Sequence, residues 1–187
     1  MPPLVTIGMP TYNRAEFLKR SIDCILRQSF NDFELIIYDD GSTDNTLDIL
    51  SSLKDERLSY VSFKNSGIPE PLNYIYKNAR GEFIIILHDH DLVDQNLIEK
   101  CVEQLEKHTK IGFVLPGGSN VDSDGESNLV ELLDDLPLKN NGNQFLMEML
   151  EDKKSFACRF HGCSMVRKSA LKDIGLFYNK KYVGMLI

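Results

Sequence analysis

Short apolar runs alternate with amphipathic stretches through the first half of the chain. Leu4 to Met9 reads as a first strand, ended by Pro10. Beyond it Leu18, Ile22, Ile25 and Leu26 recur at helical spacing, which predicts one apolar face of a helix running to about Gln28. Asn13, placed before Glu16, predicts a capping box at that helix's start. Phe33 to Tyr38 is a second strand, and Ser42 or Thr43 is placed to cap a helix carrying Leu47, Leu50 and Leu53. Leu58 to Phe63 is a short third strand, broken by Asn65-Ser66-Gly67. Pro69 and Pro71 fit the start of a helix with Leu72, Ile75 and Ala79 on one face, closed by Arg80-Gly81.

The run Phe83-Ile84-Ile85-Ile86-Leu87 predicts a strand buried on both faces, as in a parallel sheet covered by helices. It stops abruptly at His88-Asp89-His90-Asp91. Carboxylates and imidazoles at a strand's end stand at the carboxyl edge of a sheet, where open α/β folds bind ligands. Such a cluster suits a divalent cation and a phosphate-bearing substrate. The competing reading is a solvated loop whose acids cap the helix starting near Asp94. That helix, with Ile98, Cys101, Val102 and Leu105 inward, runs to Lys107, and Ile111 to Leu115 is another strand. Residues 119–129 form a polar excursion whose oxygen ligands fail the EF-hand register. Leu132 to Leu138 fits more than one element, Asn143 to Leu150 predicts a helix, and Cys158 to Val166 an extended segment. Ser169 to Asp173 predicts a helical turn with Gly175 at its C-cap.

Strand-helix alternation of this kind predicts an α/β fold with a mostly parallel, doubly wound sheet and right-handed crossovers. The loops after Met9, Tyr38 and Leu87 then share one edge, as a pocket contacting base, ribose and phosphates requires. No G-x-G-x-x-G follows the first strand and no Walker lysine loop occurs, which argues against the dinucleotide and P-loop classes. The 187 residues suffice for one good-sized core. A formal charge of -7, with the densest basic groups being Lys153-Lys154 and Lys180-Lys181, leaves no footprint for nucleic acid. No signal-peptide pattern opens the chain, and no window reaches the roughly 20 apolar residues of a membrane span. A cytoplasmic protein is expected, and association with a membrane surface would leave no mark of this kind. Cys24, Cys101, Cys158 and Cys163 lack zinc-like or redox pairing and are expected as buried free thiols.

Three motifs in order carry a resemblance: Val5-Thr6-Ile7-Gly8-Met9-Pro10-Thr11-Tyr12-Asn13-Arg14, then Ile36-Ile37-Tyr38-Asp39-Asp40-Gly41-Ser42-Thr43-Asp44, then the buried strand with its acidic end. Together they resemble the family 2 glycosyltransferases, whose GT-A fold is a Rossmann-like three-layer α/β/α sandwich. The resemblance implies that Pro10 and Tyr12 line the base pocket, with Tyr12 stacking on a pyrimidine, rather than packing on the first helix. It implies that Asp40 accepts from the base imide and that Asp39 satisfies donors of the following turn. Asp91 is implied as the metal ligand, holding Mn²⁺ or Mg²⁺ against the diphosphate, with Asp89 and His90 beside the donor. His161 is implied near the acceptor. Arg167 and Lys168 match basic residues common on that side, and a surface role fits them equally.

The sequence departs from the family pattern in three places. His90 stands where aspartate is usual, and it supplies no negative charge at neutral pH. Leu72 stands where an arginine often precedes the position of Asn73. Beyond Gly175-Leu176-Phe177-Tyr178-Asn179 no acidic residue follows before Ile187, so the catalytic base goes unassigned and a C-terminally truncated chain is expected.

The resemblance implies a metal-dependent, inverting transfer of sugar from a UDP- or dTDP-sugar to the hydroxyl of a glycan or lipid-linked acceptor, as in bacterial cell-envelope polysaccharide synthesis. Residues 1–115 would be the donor-binding part, and 116–187 a partial acceptor-binding part of the same domain. A nucleotidyltransferase lacks support, since no basic glycine-rich first loop is present. An inactive binding or interaction module on the same fold is the remaining alternative.

Overall fold

The computed structural model describes residues 1–67, 70–117, 120–121, 127–128 and 163–173. The elements run β1 (Val5–Thr11), α1 (Ala15–Leu26), β2 (Phe33–Asp39), α2 (Thr46–Ser52), β3 (Leu58–Ser62), α3 (Glu70–Asn78), β4 (Phe83–Ile86) and α4 (Leu97–Lys107). After them come β5 (Phe113–Val114), β6 (Asn120–Val121), β7 (Ser127–Asn128), β8 (Met165–Arg167) and α5 (Lys168–Asp173). The segments around Leu132, Asn143, His161 and Gly175 lie outside the described residues.

One sheet has the order β3-β2-β1-β4-β8-β5. Its first four strands are parallel, with Val5 beside both Phe33 and Phe83. Strand β8 is antiparallel to both neighbours, setting Ile85 against Met165 and Val166 against Phe113. Strands β6 and β7 pair separately within the expected excursion.

Alternation along the strands builds two cores. Val5, Ile7, Met9, Leu35, Ile37, Phe83 and Ile85 pack with Leu18, Ile22 and Ile25 of α1, Leu50 of α2, and Ile98, Cys101 and Leu105 of α4. Ile36, Tyr38, Ile84 and Ile86 pack instead with Leu72, Ile75 and Ala79 in and after α3. Helices thus cover both faces, as the continuous apolar runs require. Gly8 lets α3 lie close, because a Cβ there would collide with the side chains of Ile75 and Ile86.

Several local expectations are corrected. Pro10 does not end β1; it pairs with Tyr38 inside the strand. Gly8 O accepts from Leu87 N at 2.9 Å, so even-numbered positions of β1 aim their amides at β4, whose pairing stops at Gly8. Pro10 therefore lacks an N–H where the ladder no longer needs one. Asn13 caps no helix: α1 begins after Arg14 without a side-chain cap, and Asn13 itself adopts φ 52°. Neither Ser42 nor Thr43 caps α2; its N-cap Asn45 makes no side-chain bond, and Asp44 before it accepts Thr46 N at 3.0 Å. Helix α4 begins at Leu97 instead of near Asp94. Its start is held from α1's end: buried Gln28 accepts Ile98 N at 3.1 Å and donates to Asp94 O at 2.7 Å.

Candidate functional site

The carboxyl ends of β1, β2 and β4 meet at Thr11. Its hydroxyl donates to Asp89 Oδ2 at 2.7 Å, and its carbonyl accepts Asp40 N at 2.9 Å. One buried residue thus fixes three strand ends. Around it the first two loops are laced together. Asn13 N donates to Ser42 Oγ at 2.8 Å, Asn13 Oδ1 accepts Thr43 N at 2.7 Å, and Ala15 N donates to Asp44 Oδ2 at 3.0 Å. The left-handed backbone of Asn13 is tolerable because asparagine visits that region more readily than most residues. Hydrogen bonds to Asp44, from Thr46 first, outweigh its partial burial and hold its carboxyl below the ordinary value.

Asp39 is fully buried and accepts Ser42 N at 3.1 Å and Ser62 Oγ at 2.6 Å, the turn-satisfying role expected of it. Gly41, at φ 81°, makes the turn between them. Asp40 is only 6% exposed. Its Oδ1 accepts Ser66 N and Oγ at 2.8 and 2.9 Å, and its Oδ2 accepts Gly67 N at 2.9 Å. A carboxylate offers roughly four acceptor directions, so these three bonds leave room for one more donor. Asp40 thereby ties the loop after β3 to the site. Tyr38 and Phe63 stack with centroids 5.3 Å apart, and Tyr74 tilts against both. Burial, the largest cause, raises the Tyr38 phenol above its ordinary value.

Tyr12 is 46% exposed at this edge, available as a stacking platform rather than buried on α1. Leu72, in contrast, is buried against the sheet and contributes no charge. After β4, Asp89 is 6% exposed, and its Oδ1 lies 3.1 Å from Nδ1 of the exposed His90. The rings of His88 and His90 stack at 5.5 Å. Asp91 Oδ2 accepts His88 N at 2.8 Å.

Cys163, expected only as a buried thiol, belongs to this edge. Its Sγ lies 3.8 Å from Asp91 Oδ2, and its N donates to Ile86 O at 2.9 Å. It adopts φ 76°, unusual for a residue other than glycine. Burial first, then the charge of Asp91, pushes its thiol up to about 12, so it stays protonated and donates. No local pattern marks it in the sequence, because the antiparallel return of β8 brings it there.

Arg167 and Lys168 are placed at the opposite end, where Arg167 pairs with Phe83. Arg167 bonds Glu82 at 2.8 Å and Leu105 O at 2.7 Å, and Lys168 Nζ donates to Ala79 O at 2.5 Å after α3. Both tie β8 and the start of α5 to the neighbouring elements. His161 lies outside the described residues.

Among the described residues no three His, Cys, Asp or Glu groups converge to cage a metal. A cation held by one or two protein groups plus substrate phosphates asks for less, and Asp91 with its neighbours fits that requirement.

Residues 6–175 match the family described as Glycosyl transferase family 2. The chain belongs to that family. Similar curated relatives include chondroitin synthase of Escherichia coli, 34% identical over 125 residues, covering 66% of this chain and 18% of that protein. An uncharacterized glycosyltransferase of Rickettsia typhi is 33% identical over 177 residues, covering 94% of this chain and 54% of that protein. The chain thus spans about half or less of these two family members. Among solved structures, S. aureus TarS 1-349 in complex with UDP superposes with TM-score 0.73 at 17% identity, covering 97% of this chain and 52% of that one. A mannosyltransferase of Pyrobaculum calidifontis, solved with GDP-Man and Mn²⁺, gives TM-score 0.54 at 26% identity, covering 60% of this chain and 35% of that one. The fold is the GT-A fold of this family. Among the described residues no helix is long and apolar enough to cross a membrane.

Proposed function

We propose that this family 2 member binds a UDP- or dTDP-sugar at the edge organised by Thr11 and transfers the sugar, with inversion, to the hydroxyl of a glycan or lipid-linked acceptor. The supporting observation is the meeting of exposed Tyr12, Asp40 and Asp91 on interlocked loops at the carboxyl ends of adjacent parallel strands. Ligand crevices of open α/β sheets form at such edges. The UDP complexes of TarS, a protein of like fold, point to the same donor class.

In this reading Tyr12 stacks on the base beside Pro10, and the remaining acceptor direction of Asp40 takes the imide N–H. Asp91 would hold Mn²⁺ or Mg²⁺, which would supply positive charge to stabilise the departing diphosphate. Asp89 and His90 complete the phosphate side. The acceptor hydroxyl attacks the anomeric carbon as the bond to the diphosphate oxygen breaks, and its proton passes to a base. Residues 1–115 form the donor part and 116–187 part of the acceptor side, at work in the cytoplasm on cell-envelope polysaccharide. Calorimetric titration of UDP and dTDP, with and without Mn²⁺, tests this reading. Metal-dependent binding supports it, and a folded chain that binds neither nucleotide overturns it.

A further inference from the structure

Among the described residues β3 is the outermost strand on its side of the sheet, and it is unguarded. Exposed edges are ordinarily blunted by lysine, proline, a bulge or extreme shortness. At the other margin β5 has two residues, whereas Leu58-Ser59-Tyr60-Val61-Ser62-Phe63 runs on without a charge, a proline or a glycine. Tyr60 and Phe63 stand 40% and 47% exposed along it. The inner side of β3 is used: Arg57 O accepts Leu35 N at 2.8 Å, and Phe63 N donates to Asp39 O at 3.1 Å. Odd-numbered positions therefore aim their backbone groups at β2, and Leu58, Tyr60 and Ser62 aim theirs outward. Of these, Leu58 N is taken by Asp55 O at 3.1 Å.

Charge selects what covers this edge. Glu56 precedes the strand and Lys64 follows it, both exposed. Arg57, next to Glu56, is committed within the chain, bonding Asp55 at 2.9 Å and Leu26 O at 3.0 Å. An apolar edge with a negative charge at one end and a positive charge at the other complements itself when a second copy runs the opposite way. A two-fold axis through Tyr60 gives that arrangement, with Tyr60 facing Tyr60, Leu58 facing Ser62, and Glu56 beside Lys64 at either end.

We propose that the protein forms a two-fold symmetric dimer in which β3 pairs antiparallel with β3 of a second copy, centred on Tyr60, so that the two sheets become one. Tyr60 exchanges both its outward backbone bonds with its counterpart, and Ser62 N donates to Leu58 O of the second copy. The two tyrosine rings, opposed on one face, cover each other. Because the strands run oppositely, the carboxyl edges of the two sheets point in opposite directions. The inference stands apart from the donor-site reading.

The test is sedimentation velocity on the full 187-residue chain over a range of concentrations. A single strand pairing is smaller than a standard interface, so the expected dissociation constant is on the order of 10–100 µM. Glu56→Lys sets like charges together at both ends, as does Lys64→Glu, and each should weaken the dimer by about tenfold. The double reversal restores opposite charges and should return the affinity to near native. Tyr60→Pro removes an outward N–H that β2 does not use, and should give a monomer with native circular dichroism. A native chain that stays monomeric to about 1 mM overturns the inference. So does a dimer that both single reversals leave intact, or one that the double reversal fails to restore.

Discussion

Thr11 and Asp89 lie 78 positions apart in sequence, yet they share a buried 2.7 Å hydrogen bond that locks the ends of β1 and β4 together. Thr11→Val keeps the shape and removes the donor, leaving a buried carboxylate oxygen short of a partner. A loss of about 1–3 kcal/mol in urea unfolding is expected, with Thr11→Ser close to native. If the two variants prove equally stable, this bond contributes little.

Gly8→Ala places a Cβ against the side chains of Ile75 and Ile86, where α3 packs on the sheet. Overpacking of this kind costs about 1–3 kcal/mol. Adding Ile75→Val should recover part of that loss in a double-mutant cycle, with a coupling of at least about 0.5 kcal/mol. Strict additivity would contradict the contact.

Asp44 accepts the first amide of α2, Thr46 N, and the first amide of α1, Ala15 N. Its carboxyl is held below its ordinary value, with hydrogen bonding from Thr46 as the leading cause. A lowered folded value means the unfolded chain binds the proton first. The contribution is therefore fully present above about pH 4 and fades as pH falls through the folded value. Asp44→Ala should lower stability at pH 7 by less than about 1 kcal/mol, since solvent screens an exposed carboxylate, and the difference from native should shrink as pH falls. A pH-independent difference would rule out the charge as the source.

Cys101 is 2% exposed, and burial pushes its thiol up from 9.0 to about 11. Here the unfolded chain loses the proton first, so stability is unaffected below about pH 9 and falls as pH rises toward 11. Relative to Cys101→Val, the native chain should lose stability with a slope of at most about 1.4 kcal/mol per pH unit in that window. Denaturant midpoints at pH 8 and pH 10 decide the matter.

Asp40→Asn replaces an oxygen that accepts Gly67 N or Ser66 N with an amide that donates. Asp91→Asn leaves the loops laced and removes a charge. Both should weaken UDP binding by at least about tenfold, but only Asp91→Asn should abolish its dependence on Mn²⁺. Equal metal dependence in the two variants would separate Asp91 from the cation.

Much of this arrangement is legible in the chain because its periodicity is local. The apolar run from Phe83 predicts a strand, and the polar endings after β1, β2 and β4 predict a shared edge; both are observed. What escapes the sequence is long-range. Asn13 has the spacing of a capping box, yet its side chain bonds Thr43, 30 residues away, because two loops at one sheet edge compete for it. Gln28 sits among helix formers and stabilises a different helix 70 residues on. Cys163 reaches Asp91 only because a three-residue strand returns antiparallel, and so short a strand has no period to read.

That returning strand also sets an order of events. Until β8 arrives, β4 has one open flank of unpaired amides and carbonyls, and β5 has no neighbour through which to join the sheet. Glu82 and Arg167, whose side chains meet across that seam, are separated by 85 residues. Contacts so distant form late, and an apolar strand left open invites pairing with another chain. The seam between β4 and β5 therefore cannot shut until residues near 165 are in place.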